Sequence, residues 1–177
     1  MHTSQVALLV LYTPEYMDMS SYERNANRLT VILLVGLTLL SLAGAIWLPT
    51  PIAIHYNLSG QPDRWGNPAT LLILPLVAFF IAGITWASEK LPPDFMNFPG
   101  PRTAENVARQ LSNIHLMTAS IRPLMVALFL LIQAESIWAK FYNHDRLVSW
   151  TIPVMATFIT VVIGYFVWRA YRLVPRQ

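Results

Sequence analysis

Three residues have side chains that could together hold a divalent cation: His55, Asp63 and Glu135. An imidazole nitrogen with two carboxylates is a donor set that zinc accepts. His55 and Asp63 stand eight residues apart in LPTPIAIHYNLSGQPDRWGNP, residues 48–68. No recognised metal motif uses that spacing. The plainer reading is that His55 and Asn57 bond the loop backbone, Asp63 caps a turn, and Glu135 pairs with Arg64 or Lys140. The spacing favours this reading, so no metal, cofactor or catalytic residue is expected. As a binding surface the loop offers His55, Asn57, Asp63 and Arg64, with Glu135 nearby, while Pro49, Gly60, Trp65 and Gly66 shape it. Sequences of the GxSxG, HExxH, Walker and Rossmann types are all missing, so the chain is read as a non-enzyme.

The elements that must carry these residues are strongly apolar. Residues 29–62 form a run of 34 without Asp, Glu, Lys or Arg, and residues 65–88 a run of 24. Only Asp63 and Arg64 separate them. Charged residues make up 12% of the chain, about half the ~25% usual in soluble domains. With 55% apolar residues and a mean hydropathy of +0.46, a very apolar soluble bundle is the weaker alternative to membrane spans.

Four spans are expected, giving an all-α membrane bundle. The first covers 29–48, where twenty residues reach ~30 Å, the thickness of the hydrocarbon core. Pro49 and Pro51 end it, Trp47 marks the interface, and Ser41 with Ala45 offers a close-packing face. The second covers 71–88, with Pro75 tilting or kinking it and Ala78, Ala82 and Gly83 as packing surface. Residues 103–122 carry Ala104, Val107, Leu111, Ile114, Met117 and Ile121 at helical spacing. They predict an amphipathic interfacial helix, capped by Thr103 and carrying a Glu105–Arg109 pair, before the third span. That helix turns into the bilayer near Pro123, with Arg122 snorkelling to water, and the span runs to residue 139. The fourth covers 150–168, with Pro153 in its first turn.

Of the twelve Lys and Arg residues, nine fall on the side of the termini: Arg24, Arg28, Lys90, Arg102, Arg109, Arg122, Arg169, Arg172 and Arg176. Arg64, Lys140 and Arg146 fall on the other. Positive charge accumulates on the cytoplasmic side, so both termini are expected there, in the plasma (inner) membrane, and the 49–70 loop faces outward. A pI near 9.4 reflects this scatter rather than a basic patch, and nucleic acid is not an expected partner. The absence of cysteine excludes disulfides and thiolate metal sites. Residues 1–28 read as a cytoplasmic segment. Its apolar stretch 6–12 is too short to span, and Met17 or Met19 as initiator stands beside a genuine peripheral segment as an open alternative. His115 and His144 are placed at the two interfaces. The whole of 1–177 is read as one integral membrane domain: a two-helix unit over 29–88, then the interfacial helix and last two spans over 103–177.

Within the loop, Ile52 and Ile54 sit on an extended stretch, and turn-forming clusters at 57–60, 62–63 and 66–68 fold the chain back on itself. The pattern LPxxIxxHYNxxGxxDxWG, carried by Leu48, Pro49, Ile52, His55, Tyr56, Asn57, Gly60, Asp63, Trp65 and Gly66, resembles the signature of the domain-of-unknown-function 1648 family of bacterial and archaeal multi-pass membrane proteins. The resemblance extends over 30–84, and FPGPRTAENVARQ is similar to a connector in short members. The same domain opens the SdpI-type immunity proteins, which protect cells against a secreted toxic peptide. Their second membrane region has no counterpart pattern in 91–177. The rich outward loop and the absence of catalytic motifs instead suggest a binding, immunity or regulatory component acting through that loop, with a peptide ligand or a membrane protein as partner beside the lipid bilayer. The alternative is an accessory structural subunit of a larger membrane complex.

Overall fold

The computed structural model describes residues 20–57, 59–142 and 150–175. The stretch 6–12, the alternative initiators Met17 and Met19, and His144, Arg146 and Arg176 lie outside the described residues. Helix α1 is Ser21–Trp47. A two-stranded antiparallel hairpin follows, β1 (Ile52–Tyr56) and β2 (Pro62–Gly66). A 3₁₀ turn at Pro68–Leu72 leads into α2 (Ile73–Ser88). A short 3₁₀ turn at Pro93–Phe95 precedes α3 (Ala104–Phe141), and α4 is Thr151–Arg172. Among the described residues four helical stretches, Pro68–Ser88 counted as one, are long and apolar enough to cross a membrane. The expected all-α bundle is what the chain forms.

Helix α1 starts eight residues before the apolar run because Ser20 and Glu23 build a capping box. Ser20 Oγ accepts from Glu23 N at 3.2 Å, and Glu23 Oε2 accepts from Ser20 N at 2.6 Å. Its 27 residues reach ~40 Å, longer than the ~30 Å of a hydrocarbon core. The buried face is Thr30, Leu34, Leu37, Ser41 and Gly44. Its close-packing pair is therefore Ser41 with Gly44 rather than Ser41 with Ala45. A Cβ on Gly44 would come within 2.7 Å of Leu71 Cδ1 and 3.0 Å of Ile137 Cδ1. On α2, Ala78 and Ala82 are buried as expected, but Gly83 faces away with nothing near it. Pro75 sits in the first turn of α2, where a missing N–H costs nothing. It starts the helix instead of kinking it.

The separate interfacial helix is not formed. Residues 104–141 are one helix of 38 residues passing straight through Pro123, ~57 Å long. Proline removes one helical bond, to the Ala119 carbonyl. The neighbouring Arg122 is held by Asn27 of α1, Thr85 of α2 and Glu89 just after it, which ties α3 to both helices at this point. The amphipathic pattern of 103–122 is therefore the first half of α3 itself. Thr103 caps it, accepting from Asn106 N at 3.3 Å, and Arg109 Nη2 donates to Glu105 Oε1 at 2.5 Å.

Helix α3 is the hub, packing against α1, α2 and α4, while α4 packs chiefly on α3. One core layer joins Leu34 and Leu37 to Ala78, Ala82 and Val126. A second, beneath the hairpin, joins Leu48, Ile52, Leu71 and Ile137. Polar tethers fix α4 at the end of the bundle that carries the termini. Gln110 Nε2 donates to Ala170 O at 2.8 Å, and Asn113 Nδ2 donates to Phe166 O at 3.0 Å.

Candidate functional site

The hairpin end gathers most of the residues singled out in the sequence. Asn57 makes its turn: Asn57 Oδ1 accepts from Ser59 N at 2.9 Å and Gln61 N at 3.0 Å, the Asx arrangement that lets a side chain replace a backbone partner. Gly60 adopts φ +74°, the left-handed region where a side chain would be strained. The strands pair Ile52 with Gly66, Ala53 with Trp65, His55 with Arg64 and Tyr56 with Pro62. Irregularities on both strands push Ile54 and Asp63 out of register. Ile54 consequently folds over Gly66, where a Cβ would lie 2.8 Å from Ile54 Cδ1. Ile52 enters the core while Ile54 stays partly exposed.

His55 Nδ1 meets Asp63 Oδ1 at 2.5 Å, with the two side chains 58% and 42% exposed. An ionised carboxylate only accepts, so Nδ1 carries the proton and Nε2 faces away from the pair. Arg64 makes no hydrogen bond or ion pair among the described residues, and Trp65 is 55% exposed. A charge pair, an unspent guanidinium and an indole are thus all exposed on one small hairpin.

Glu135 does not join them. It accepts from Thr151 Oγ1, tying α3 to the first turn of α4. Lys140 Nζ instead donates to Pro51 O at 2.7 Å. The expected pairing of Glu135 with Arg64 or Lys140 is therefore replaced, because α4 brings a hydroxyl closer than either cation. Among the described residues no three His, Asp or Glu side chains converge on a common point, so the three-residue cation set is not assembled. Tyr56 lies against Ser136 and Glu135, and burial raises its phenol above the usual 10.0; the Ser136 hydrogen bond lowers it and the Glu135 charge raises it. Ile52, Tyr56 and the Lys140 bond together seat the hairpin firmly on α3.

Sequence reasoning missed a second polar cluster, at the opposite end of the bundle. Arg122, expected to snorkel, is 1% exposed. Its guanidinium donates to Asn27 Oδ1, to Glu89 Oε1 and, at 3.0 Å, to Thr85 Oγ1, and lies 4.9 Å from the Trp86 ring centre. Trp86 Nε1 also donates to Asn27 Oδ1 at 3.1 Å, and Thr118 Oγ1 to Glu89 Oε1 at 2.6 Å. The signal was present: an arginine entering an apolar run and a glutamate closing another, on the same side, are candidates to pair. The cluster bolts α1, α2 and α3 together.

Comparison with known proteins gives little functional detail. Residues 29–79, from α1 through the hairpin into α2, match the family described as "Domain of unknown function (DUF1648)". A protein of Archaeoglobus fulgidus described as "Uncharacterized protein" is 24% identical over 143 residues, covering 77% of this chain and 78% of its own length. No solved structure matches.

Proposed function

With residues 29–79 forming a DUF1648 domain, we propose that this is a multi-pass plasma-membrane protein that uses its hairpin as a binding surface on the outer side. The observation that carries this reading is the contrast within the hairpin. Its base is fixed by Ile52, Tyr56 and the Lys140–Pro51 bond, while His55, Asp63, Arg64 and Trp65 are left to solvent. Aromatic and arginine side chains on a rigid support are the usual anchors of a recognition surface. In the two-stranded sheet β2 has one free edge, which suits addition of an extended peptide strand. The ligand in this reading is a peptide segment outside the membrane, and the role is binding, immunity or regulation without catalysis.

Orientation rests on charge. Among the described residues the hairpin end carries two basic and two acidic residues, against eight basic and four acidic at the other end, a bias that supports cytoplasmic termini. Because the chain has no cysteine, a single Arg64→Cys can be labelled cleanly. An impermeant maleimide should label it in intact cells and should reach Arg109→Cys only after permeabilisation. The binding role is tested by a photo-crosslinking residue at Trp65, compared with one at Phe158. A discrete adduct from Trp65 that is lost on His55→Ala/Asp63→Ala is expected. If variants lacking His55, Asn57 and Asp63 reach normal levels and complement every phenotype of a deletion strain, the hairpin is not the functional element. Adducts formed from Phe158 alone would favour the accessory-subunit alternative.

A further inference from the structure

Helices α1 and α4 both pack on α3 but scarcely on each other. Between them lies a lateral groove of about 670 Å³, in which Tyr22 and Leu33 of α1, Ser120 and Ala127 of α3, and Phe158 and Phe166 of α4 are lining residues. Its walls are almost wholly apolar. Tyr22 and Leu33 are eleven residues apart, so the groove extends for ~16 Å along the bundle. At the end nearer the termini Tyr22 Oη and Ser120 Oγ are bonded at 2.8 Å, and Ser120 donates to Leu116 O at 2.7 Å. Ser120 has a single proton, so Tyr22 is the donor of that pair and neither hydroxyl has a hydrogen to spare.

The unspent donor lies one turn further out. Arg169 follows Tyr165 and Phe166 on the same face of α4, and its Nη1 donates to Asn113 Oδ1 at 2.7 Å. Asn113 is itself 3% exposed and pinned by its bond to Phe166 O. The guanidinium, one helical turn beyond the lining residues Tyr165 and Phe166, is thus held by a neutral partner. Among the described residues no carboxylate pairs with it, and the rest of its fork is free to donate. The surrounding end of the bundle carries twice as many basic as acidic residues.

We propose that this groove is a binding site for one anionic phospholipid, with an acyl chain lying between α1 and α4 and the phosphate on Arg169. Walls and charge select the occupant: the lining is almost wholly apolar, as an acyl chain requires, and the guanidinium one turn beyond it has donors to spare for a phosphate. Basic pockets between membrane helices at a positively charged end take phosphate headgroups in this way. The site is independent of the hairpin and its ligand, and it lies in the opposite leaflet.

The test uses full-length protein in mild detergent, with native mass spectrometry after equilibration with phosphatidylglycerol or phosphatidylcholine of identical chains. A preference of about tenfold for phosphatidylglycerol is expected, equivalent to about 1.4 kcal/mol. Arg169→Gln should abolish the preference and Arg169→Lys retain part of it. Arg172→Gln, which removes an equal charge at an exposed position, should leave it unchanged. Ala127→Phe and Val161→Trp, filling the groove from α3 and from α4, should each reduce binding of both lipids, with elution volume and melting temperature reporting folding. Equal binding of the two lipids, or equal losses from the Arg169 and Arg172 variants, would reduce the effect to the general positive field and overturn the site. Undiminished adducts in both groove-filling variants would place the chain elsewhere and also overturn it.

Discussion

Removing the Glu89 carboxylate should destabilise the bundle more than removing its partner Arg122, although the arginine makes more contacts. In Glu89→Ala the guanidinium stays where it is, 1% exposed, with only the neutral acceptors Asn27 and Thr85 and the face of Trp86 to stabilise its charge. Breaking a buried pair by deleting one partner costs ~3–5 kcal/mol because the remaining charge is uncompensated. In Arg122→Met the position keeps an apolar side chain of similar length. Asn27 still accepts from Trp86, and Thr85 still donates to the Ile81 and Ala82 carbonyls. Glu89 keeps its Thr118 bond and its side chain is 20% exposed, so water can solvate it. The loss is then a set of hydrogen bonds and one cation–π contact, about 1–3 kcal/mol. Denaturation in mixed micelles with increasing SDS, followed by circular dichroism, measures both variants against the parent. Arg122→Met with Glu89→Gln, which leaves no buried charge, should recover part of the Glu89→Ala loss. A Glu89→Ala midpoint equal to the parent's, or a larger loss in Arg122→Met, would refute the reasoning.

Three further outcomes follow from the geometry. Gly44→Ala should be less stable than Gly83→Ala by about 1–3 kcal/mol in the same unfolding assay, since a methyl at 44 crowds Leu71 and Ile137 and one at 83 meets nothing. Asn57→Ala and Gly60→Ala should each loosen the hairpin by about 1–2 kcal/mol, seen as faster amide hydrogen exchange across 52–66 with the helices unchanged. Tyr56 gives a pH dependence: its folded phenol titrates above 10.0, so above that pH the unfolded chain loses a proton the folded one keeps. Stability therefore falls as pH rises past about 10 and levels off above the folded value. Phenylalanine at this position should remove that part of the slope, measured as parent-minus-variant stability at pH 9 and 11.

The spans were legible in the sequence because their signal is additive. Long runs without a charge admit few structures other than membrane helices, and their number and charge bias follow from local composition. The Thr103 cap, the Glu105–Arg109 pair and the turn at Asn57 were legible for the same reason, since all their partners lie within four residues. The hairpin's turn chemistry was readable too, but not its register, because the two irregularities depend on how Ile52 and Tyr56 seat on α3. Partnerships between distant segments could only be decided in three dimensions. Glu135 found Thr151 instead of a cation, Arg122 found Glu89 instead of water, and α3 ran on through Pro123. A long polar side chain in an apolar run must find some partner, and its sequence neighbourhood states that need without naming the partner. Only the packing of α1, α2 and α4 around α3 brings the acceptors within reach.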